Sequence, residues 1–266
     1  IYGSDKASKP SFVDYHGHNY TRYYHQIFEN LRNKNSIIFE LGIGTNNISI
    51  PYNMGTDGFP GASLRGWSEY FGNAEIYGAD IDENILFNDD KIKTYYCDQK
   101  NSQSIKQLWE NFTNKKFDVI IDDGVHEYDT NILFLENSLH KLKKGGYYVV
   151  EDVTKEDLGK WENNLDYLQK KYNNFEIKLI KLLWTHPDNN LVVFKKEKES
   201  FFNYEFIDTV EDCAAKLVEN GIEYMSFGDK DTLEQGWPQS PVIRDIDDTM
   251  YVTNHLIGLQ CIMFPA

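Results

Sequence analysis

The chain has 266 residues, 41% of them hydrophobic, and a formal net charge of −15 at pH 7. That charge argues against a phosphate-backbone partner, because nucleic-acid binders present a basic face, and against polybasic contact with an anionic membrane. Its length suits one α/β domain with an appendage. Cys97, Cys213 and Cys261 are spaced for neither a zinc knuckle nor a disulfide framework, so a reducing, cytoplasmic compartment is expected. No apolar run approaches the roughly 20 residues that span a bilayer. No signal peptide is visible, a reading weakened because the chain begins at Ile1 and not at Met. The wealth of Lys, Asn, Ile and Tyr points to an AT-rich bacterial genome.

Asp14 to Arg32 is predicted as a helix, with Tyr20, Tyr24, Ile27, Phe28 and Leu31 at helical spacing. Ser36 to Leu41 is a short β-branched run closed by Gly42-Ile-Gly44, the pattern of a buried parallel strand entering a turn. A Gly/Pro/Asn-rich loop follows, then a helix over Ser63–Phe71. Glu75–Asp80 and Lys93–Cys97 read as strands, with a helix from Ser102 to Phe112. Phe117–Asp122 is a fourth strand. A helix over Asp129–Leu142 leads to a turn at Lys143-Lys-Gly-Gly146 and a fifth strand at Tyr147–Val150. After a helix near Leu158–Tyr172, segments 176–183 and 190–194 form a closing hairpin that adds an antiparallel strand. Strands alternating with helices imply a mostly parallel sheet of seven strands covered on both faces. Residues 195–200 form a charged linker, and Thr209–Asn220 has helical spacing.

In such sheets ligands sit at the carboxyl ends of the strands, where the chemically capable residues here fall. Glu40, Gly42 and Gly44 end the first strand, Asp80 the second, and Asp98 with Gln99 the third. Asp122, Asp123 and His126 follow the fourth, and Glu151 with Asp152 the fifth. Glycines at 42 and 44 allow backbone to pass close to a ligand, although G-x-G also occurs in ordinary turns. Asp80 suits the two hydroxyls of a ribose, or else a helix cap; Asp98 and Gln99 suit an adenine. The third glycine of the dinucleotide fingerprint and any P-loop pattern are absent.

The series Glu40-Leu-Gly-Ile-Gly44, Gly78-Ala-Asp80, Asp98, Phe117 to Asp123 and Gly145 to Asp152 resembles class I S-adenosylmethionine-dependent methyltransferases. Gly61-Ala-Ser-Leu-Arg65 before Trp67, Asp122-Asp-Gly-Val-His126 and Glu151-Asp152 narrow the resemblance to metal-dependent sugar O-methyltransferases of the mycinamicin type. It covers about residues 3 to 195. The resemblance implies a Rossmann-like sheet with the cofactor at Glu40, Gly42, Gly44, Asp80, Asp98, Gln99 and Asp122. Ser63 and Arg65 would lie near its methionine end. It also implies His126 as catalytic base beside Asp123, with Asp123, Glu151 and Asp152 around a divalent metal. Gly3-Ser-Asp-Lys6 resembles the family's leader, which closes over the cofactor.

The chemistry is consistent with those residue types. A sugar hydroxyl is a poor nucleophile until its proton leaves; a bound divalent cation lowers its pKa and a histidine accepts the proton. Three carboxylates make an oxygen shell suited to Mg²⁺, with Mn²⁺ or Ca²⁺ as alternatives, better than to Zn²⁺. The acceptor is expected to be a sugar or nucleotide sugar, a capsular heptose being one reading. Rival readings are a phenolic or phosphorylated acceptor, an NAD-binding oxidoreductase and a non-catalytic subunit of similar fold. Residues 1–35 are expected to be a helical lid, 36–197 the methyltransferase core, and 198–266 an extension that covers the acceptor or makes a homo-oligomer contact. Trp237, Tyr251 and His255 lie in that extension, as does the acidic run Arg244 to Asp248, read as a solvated loop or a ligand cluster. His16, His18 and His25 are read as a plain surface helix, a lid or a metal site, and Trp184-Thr-His186-Pro receives no role.

Overall fold

The computed structural model describes residues 4, 6, 18–182 and 188–197, together with four short strands nearer the C-terminus. The chain divides into two compact units, Ile1–Glu197 and Lys198–Ala266. In the first, β1 (Ile37–Leu41), β2 (Glu75–Asp80), β3 (Ile92–Tyr96), β4 (Phe117–Asp122), β5 (Leu142–Val150), β6 (Phe175–Lys181) and β7 (Asn190–Lys196) form one sheet in the order β3-β2-β1-β4-β5-β7-β6. Only β7 runs against its neighbours. Among the described residues five α-helices accompany it: α1 (Tyr20–Phe28), α2 (Ala62–Tyr70), α3 (Ser102–Glu110), α4 (Tyr128–Ser138) and α5 (Lys155–Lys171).

The period-2 alternation of the strands sorts their apolar residues into two layers. Phe39 and Leu41 of β1, Ile120 of β4, Tyr148 and Val150 of β5, and Val192 and Phe194 of β7 face one side. They pack with Trp109 of α3, Phe134 of α4 and Trp161 of α5. Ile38, Val119, Ile121, Val149, Leu191 and Val193 face the other, against Tyr20, Tyr24 and Phe28 of α1 and Leu64 and Trp67 of α2. Gly78 lets α2 lie close to β2, since a Cβ there would stand 2.6 Å from Leu64 Cδ1.

Helix α1 starts at Tyr20, later than expected, and gives way to a 3-10 turn at Glu29–Leu31. Nine residues are too few to hold a helix by themselves in water. Burial of the Tyr20, Tyr24 and Phe28 stripe does so, at roughly 1.5–3 kcal/mol for a fully buried large side chain. The turn expected at Lys143–Gly146 is instead an irregularity inside β5: its ladder to β4 passes from the Phe117–Leu142 pair to Val119–Tyr147. Gly145, at φ +76°, supplies the left-handed residue that this bulge requires.

The second unit contains β8 (Tyr224–Met225), β9 (Val242–Arg244), β10 (Met250–Asn254) and β11 (Gln260–Phe264), an antiparallel sheet in the order β11-β10-β9-β8. The helix expected at Thr209–Asn220, residues 245–248, Trp237 and His255 fall outside the described residues, as do Gly3, His16 and residues 184–187. No helix among the described residues is long and apolar enough to cross a membrane.

Candidate active site

A cavity opens at the carboxyl ends of β1 to β4, lined by Gly42, Gly44, Asp80, Asp98, Gln99 and Asp123 among others. Its floor is a glycine turn held by its own backbone. Gly42 and Gly44 both stand at φ +82°, where an L side chain is strained. Gly42 N–H donates to Ala79 O at 2.8 Å, and a Cβ at Gly42 would lie 1.9 Å from the Asp123 carbonyl oxygen. The first glycine is therefore what allows the β1 turn to touch the loop after β4.

Asp80 locks the adjacent edge. Its Oδ2 accepts from Ile43 N–H at 2.9 Å and its Oδ1 from Asp82 N–H at 3.0 Å, leaving lone pairs for a ligand hydroxyl. Burial pushes this carboxyl upward in pKa. Asp82, which sequence reasoning passed over, braces the turn by accepting from the Thr45 hydroxyl. Asp98 caps its own loop, accepting from Lys100 N–H at 2.9 Å.

Gln99 donates to Asp122 Oδ1 at 2.7 Å and accepts from Val125 N–H at 2.8 Å, so its amide ties the third strand end to the fourth. Asp122 is fully buried and takes two further donors, Asn131 at 3.0 Å and Tyr148 at 3.3 Å. Burial pushes it up to about 7. Asp122, Ser63 and Arg65 are not among the residues lining the cavity. Arg65 donates to Pro60 O at 2.9 Å and lies over the Phe87 ring.

Glu40 is fully buried on the α2 side, where Trp67 Nε1 donates to its Oε2 at 2.6 Å. Its Oε1 receives no hydrogen bond among the described residues, with Lys6 Nζ 3.3 Å away. Lys6 also reaches Asp123 Oδ2 at 2.7 Å and Glu151 Oε2 at 2.5 Å. The Lys6 ammonium thus partly neutralises carboxylates from three strand ends, whose mutual repulsion would otherwise be severe. Glu151 additionally accepts from the Tyr24 hydroxyl at 2.5 Å, and burial raises it to about 7 against the pull of Lys6.

At the cavity rim, donor atoms of Asp123, His126 and Asp152 all lie within 4.8 Å of one another. His126 Nε2 stands 3.9 Å from Asp152 Oδ2. The acids and histidine expected at this place are together, but with a difference: Glu151 turns toward Lys6 and Tyr24, and His126 completes the cluster. The two carboxylates are oxygen donors of the kind a hard divalent cation takes, and the imidazole beside them suits a proton acceptor. A second cluster shares Asp152: His18 Nε2 lies 3.1 Å from Asp188 and its Nδ1 3.5 Å from Asp152, while Tyr20 donates to Asp152 at 2.7 Å. His18 and His25 do not form a common site, because His25 pairs with the Tyr70 hydroxyl at 3.0 Å.

Backbone strain is concentrated here. Among the described residues, the non-glycine positions at positive φ are Tyr52 (59°), His126 (56°) and Asp152 (51°). Such conformations cost of order 1–3 kcal/mol each and gather at functional sites. Sequence reading missed Tyr52, Tyr24 and Tyr20 as site residues. Tyr20 and Tyr24 carried one signal, a hydroxyl at positions i and i+4 of an otherwise apolar stripe, which needs a buried partner.

No protein-family model matches the chain. Over 136 residues, 51% of its length, it is 31% identical to the 8-demethyl-8-alpha-L-rhamnosyl tetracenomycin-C 2'-O-methyltransferase of Streptomyces olivaceus, covering 33% of that protein. It is 30% identical over 137 residues to the mycinamicin VI 2''-O-methyltransferase of Micromonospora griseorubida, covering 51% of this chain and 32% of that one. The chain thus spans about a third of the length of these relatives. Among solved structures, the MycE methyltransferase of mycinamycin biosynthesis in complex with Mg, SAH and mycinamycin VI matches with a TM-score of 0.54 and 21% identity. That match covers 77% of this chain and 55% of the other. The chain has the class I methyltransferase fold, and half of it is similar in sequence to sugar O-methyltransferases.

Proposed function

We propose that the chain is an S-adenosylmethionine-dependent O-methyltransferase, assisted by a divalent metal, that acts on a sugar hydroxyl. The observation that carries this reading is the position of Asp123. It lines the cavity at the strand ends and also belongs to the cluster with His126 and Asp152. A methyl donor and a hydroxyl held at those two places would meet at one point.

The residues suit such a donor. Asp80 has lone pairs for ribose hydroxyls, and it lines the cavity. Glycine at 42 keeps the β1 turn closed against the Asp123 backbone, which lines the same cavity. Asp123 and Asp152 would hold Mg²⁺, which when bound lowers the pKa of the acceptor hydroxyl. His126 takes the hydroxyl proton as the oxygen–carbon bond forms and the carbon–sulfur bond breaks. The strand ends keep oxygen, carbon and sulfur in line, making the transfer effectively unimolecular.

The named relatives act on rhamnosyl tetracenomycin-C and mycinamicin VI, which supports a sugar acceptor. Combined with the AT-rich composition, we take that sugar to be nucleotide-linked or part of a surface polysaccharide, such as a capsular heptose, in a cytoplasmic enzyme. Isothermal titration with S-adenosylmethionine and, separately, NAD⁺, each with Mg²⁺ or with EDTA, tests the class. Binding of S-adenosylmethionine without an NAD⁺ signal is expected. Binding of NAD⁺ alone would overturn the reading.

A further inference from the structure

Tyr52 lines the cavity together with Ile50 and Pro51, and its ring meets the His126 imidazole edge-on, with centroids 5.4 Å apart and planes at 89°. The residue stands at φ 59° yet leaves 53% of its surface exposed. A bulky side chain in the left-handed region is a genuine conformational outlier. Core burial does not explain it, because about half of the residue's surface is exposed. Nearby, at Gly42, Gly44, Gly55 and Gly61, the chain uses glycine for the same backbone region.

The surrounding loop holds Tyr52 in that conformation. Asn46 Nδ2 donates to Gly55 O at 2.7 Å and Gly58 O at 3.0 Å, Met54 N–H to Thr45 O at 3.0 Å, and Asn53 Nδ2 to Ile50 O at 2.7 Å. These bonds clamp the loop on both sides of residue 52. With the loop fixed in this way, the ring is held against His126.

Resting on the methyltransferase reading above, we propose that Tyr52 is the acceptor's stacking platform. Its ring receives the apolar C–H face of a pyranose and sets that sugar beside His126. An aromatic face carries negative charge density that attracts polarised C–H bonds. This would make Tyr52 a specificity-determining residue, selecting acceptors by their ring face.

The test is saturation-transfer NMR with the methyl glycosides of L-rhamnose, D-mannose and an L,D-heptose as probes. It uses the full chain with Mg²⁺, with and without S-adenosylhomocysteine, alongside calorimetry of S-adenosylhomocysteine binding. Wild type and Tyr52→Phe should bind at least one glycoside. Tyr52→Gly removes both ring and strain, so it should melt no lower than wild type. It should bind the glycoside about tenfold more weakly, a clearly larger loss than its loss of S-adenosylhomocysteine affinity. Full glycoside binding by Tyr52→Gly would overturn the proposal. So would the absence of any glycoside signal in a wild type that binds S-adenosylhomocysteine, or an equal loss of both ligands in Tyr52→Gly. A Tyr52-dependent glycoside signal with no S-adenosylhomocysteine binding would instead overturn the methyltransferase reading and keep the platform.

Discussion

The ends of β1 to β3 and the ends of β4 and β5 are built on different principles. On the first side the backbone supplies the shape: two left-handed glycines, and Asp80 joining two turns through main-chain donors. On the second side the work falls to charges, with Asp123, Glu151, Asp152 and His126 crowded around Lys6 or one another. There, His126 and Asp152 carry the left-handed backbone, where the first side uses mostly glycine, with Tyr52 as the exception. A ligand of mixed polarity needs a fitted cradle, whereas proton abstraction needs tuned charge. The contrast teaches which substitutions should damage binding and which should damage turnover.

The sharpest separation comes from His126→Ala. With an acceptor identified by screening, loss of the proposed base should lower the rate by about 10²–10⁴-fold. S-adenosylhomocysteine affinity, measured by calorimetry, should be nearly unchanged. A variant with wild-type rate would remove the division of labour altogether.

Gly42→Ala attacks the seam between the halves. Its Cβ would meet the Asp123 carbonyl carbon at 2.5 Å as well as the oxygen, both parts of a rigid backbone. Overpacking plus left-handed strain should cost about 3 kcal/mol or more. Urea denaturation would register this, and cofactor affinity should fall with it. By contrast Gly44→Ala meets only the flexible Met54 side chain and should be the milder change.

The charged half should also reveal itself through pH. Asp122 and Glu151 are pushed by burial to about 7 from ordinary values of 3.8 and 4.5. Both then hold protons more tightly folded than unfolded. Their contribution to stability therefore improves as pH falls from about 7 toward 4.5 and is lost as pH rises through 7. Asp122→Asn should flatten that slope in urea midpoints measured across this window without added ligand; an unchanged slope would remove Asp122 from the account.

The smallest effects calibrate the backbone argument. Gly145 and Gly159 both have open space where a Cβ would go, but Gly145 stands at φ +76° while Gly159 lies inside α5. Gly145→Ala should destabilise by roughly 1 kcal/mol, and Gly159→Ala should stabilise by roughly 0.5–1 kcal/mol. Thermal melts of the two variants should move in opposite directions.

The fold was legible because its signals are local. Short β-branched runs, closed by glycine or acid and separated by helical spacing, determined a parallel sheet and placed Gly42, Asp80, Asp123, His126 and Asp152 at strand ends. The bulge in β5 was not legible, since Lys143 to Gly146 reads equally as a turn until β4 pairs with it. Within the site, residue types and strand-end positions were determined by the sequence alone, but partners were not. Tertiary structure decided that Glu151 faces Lys6, 145 residues away, and the Tyr24 hydroxyl, 127 away. It also decided that Glu40 points to Trp67 and that Tyr52 stands against His126. The physical reason is that periodicity gives the face on which a strand residue lies. A loop residue's direction depends on its φ and on hydrogen bonds to distant segments, which exist only once the chain has closed.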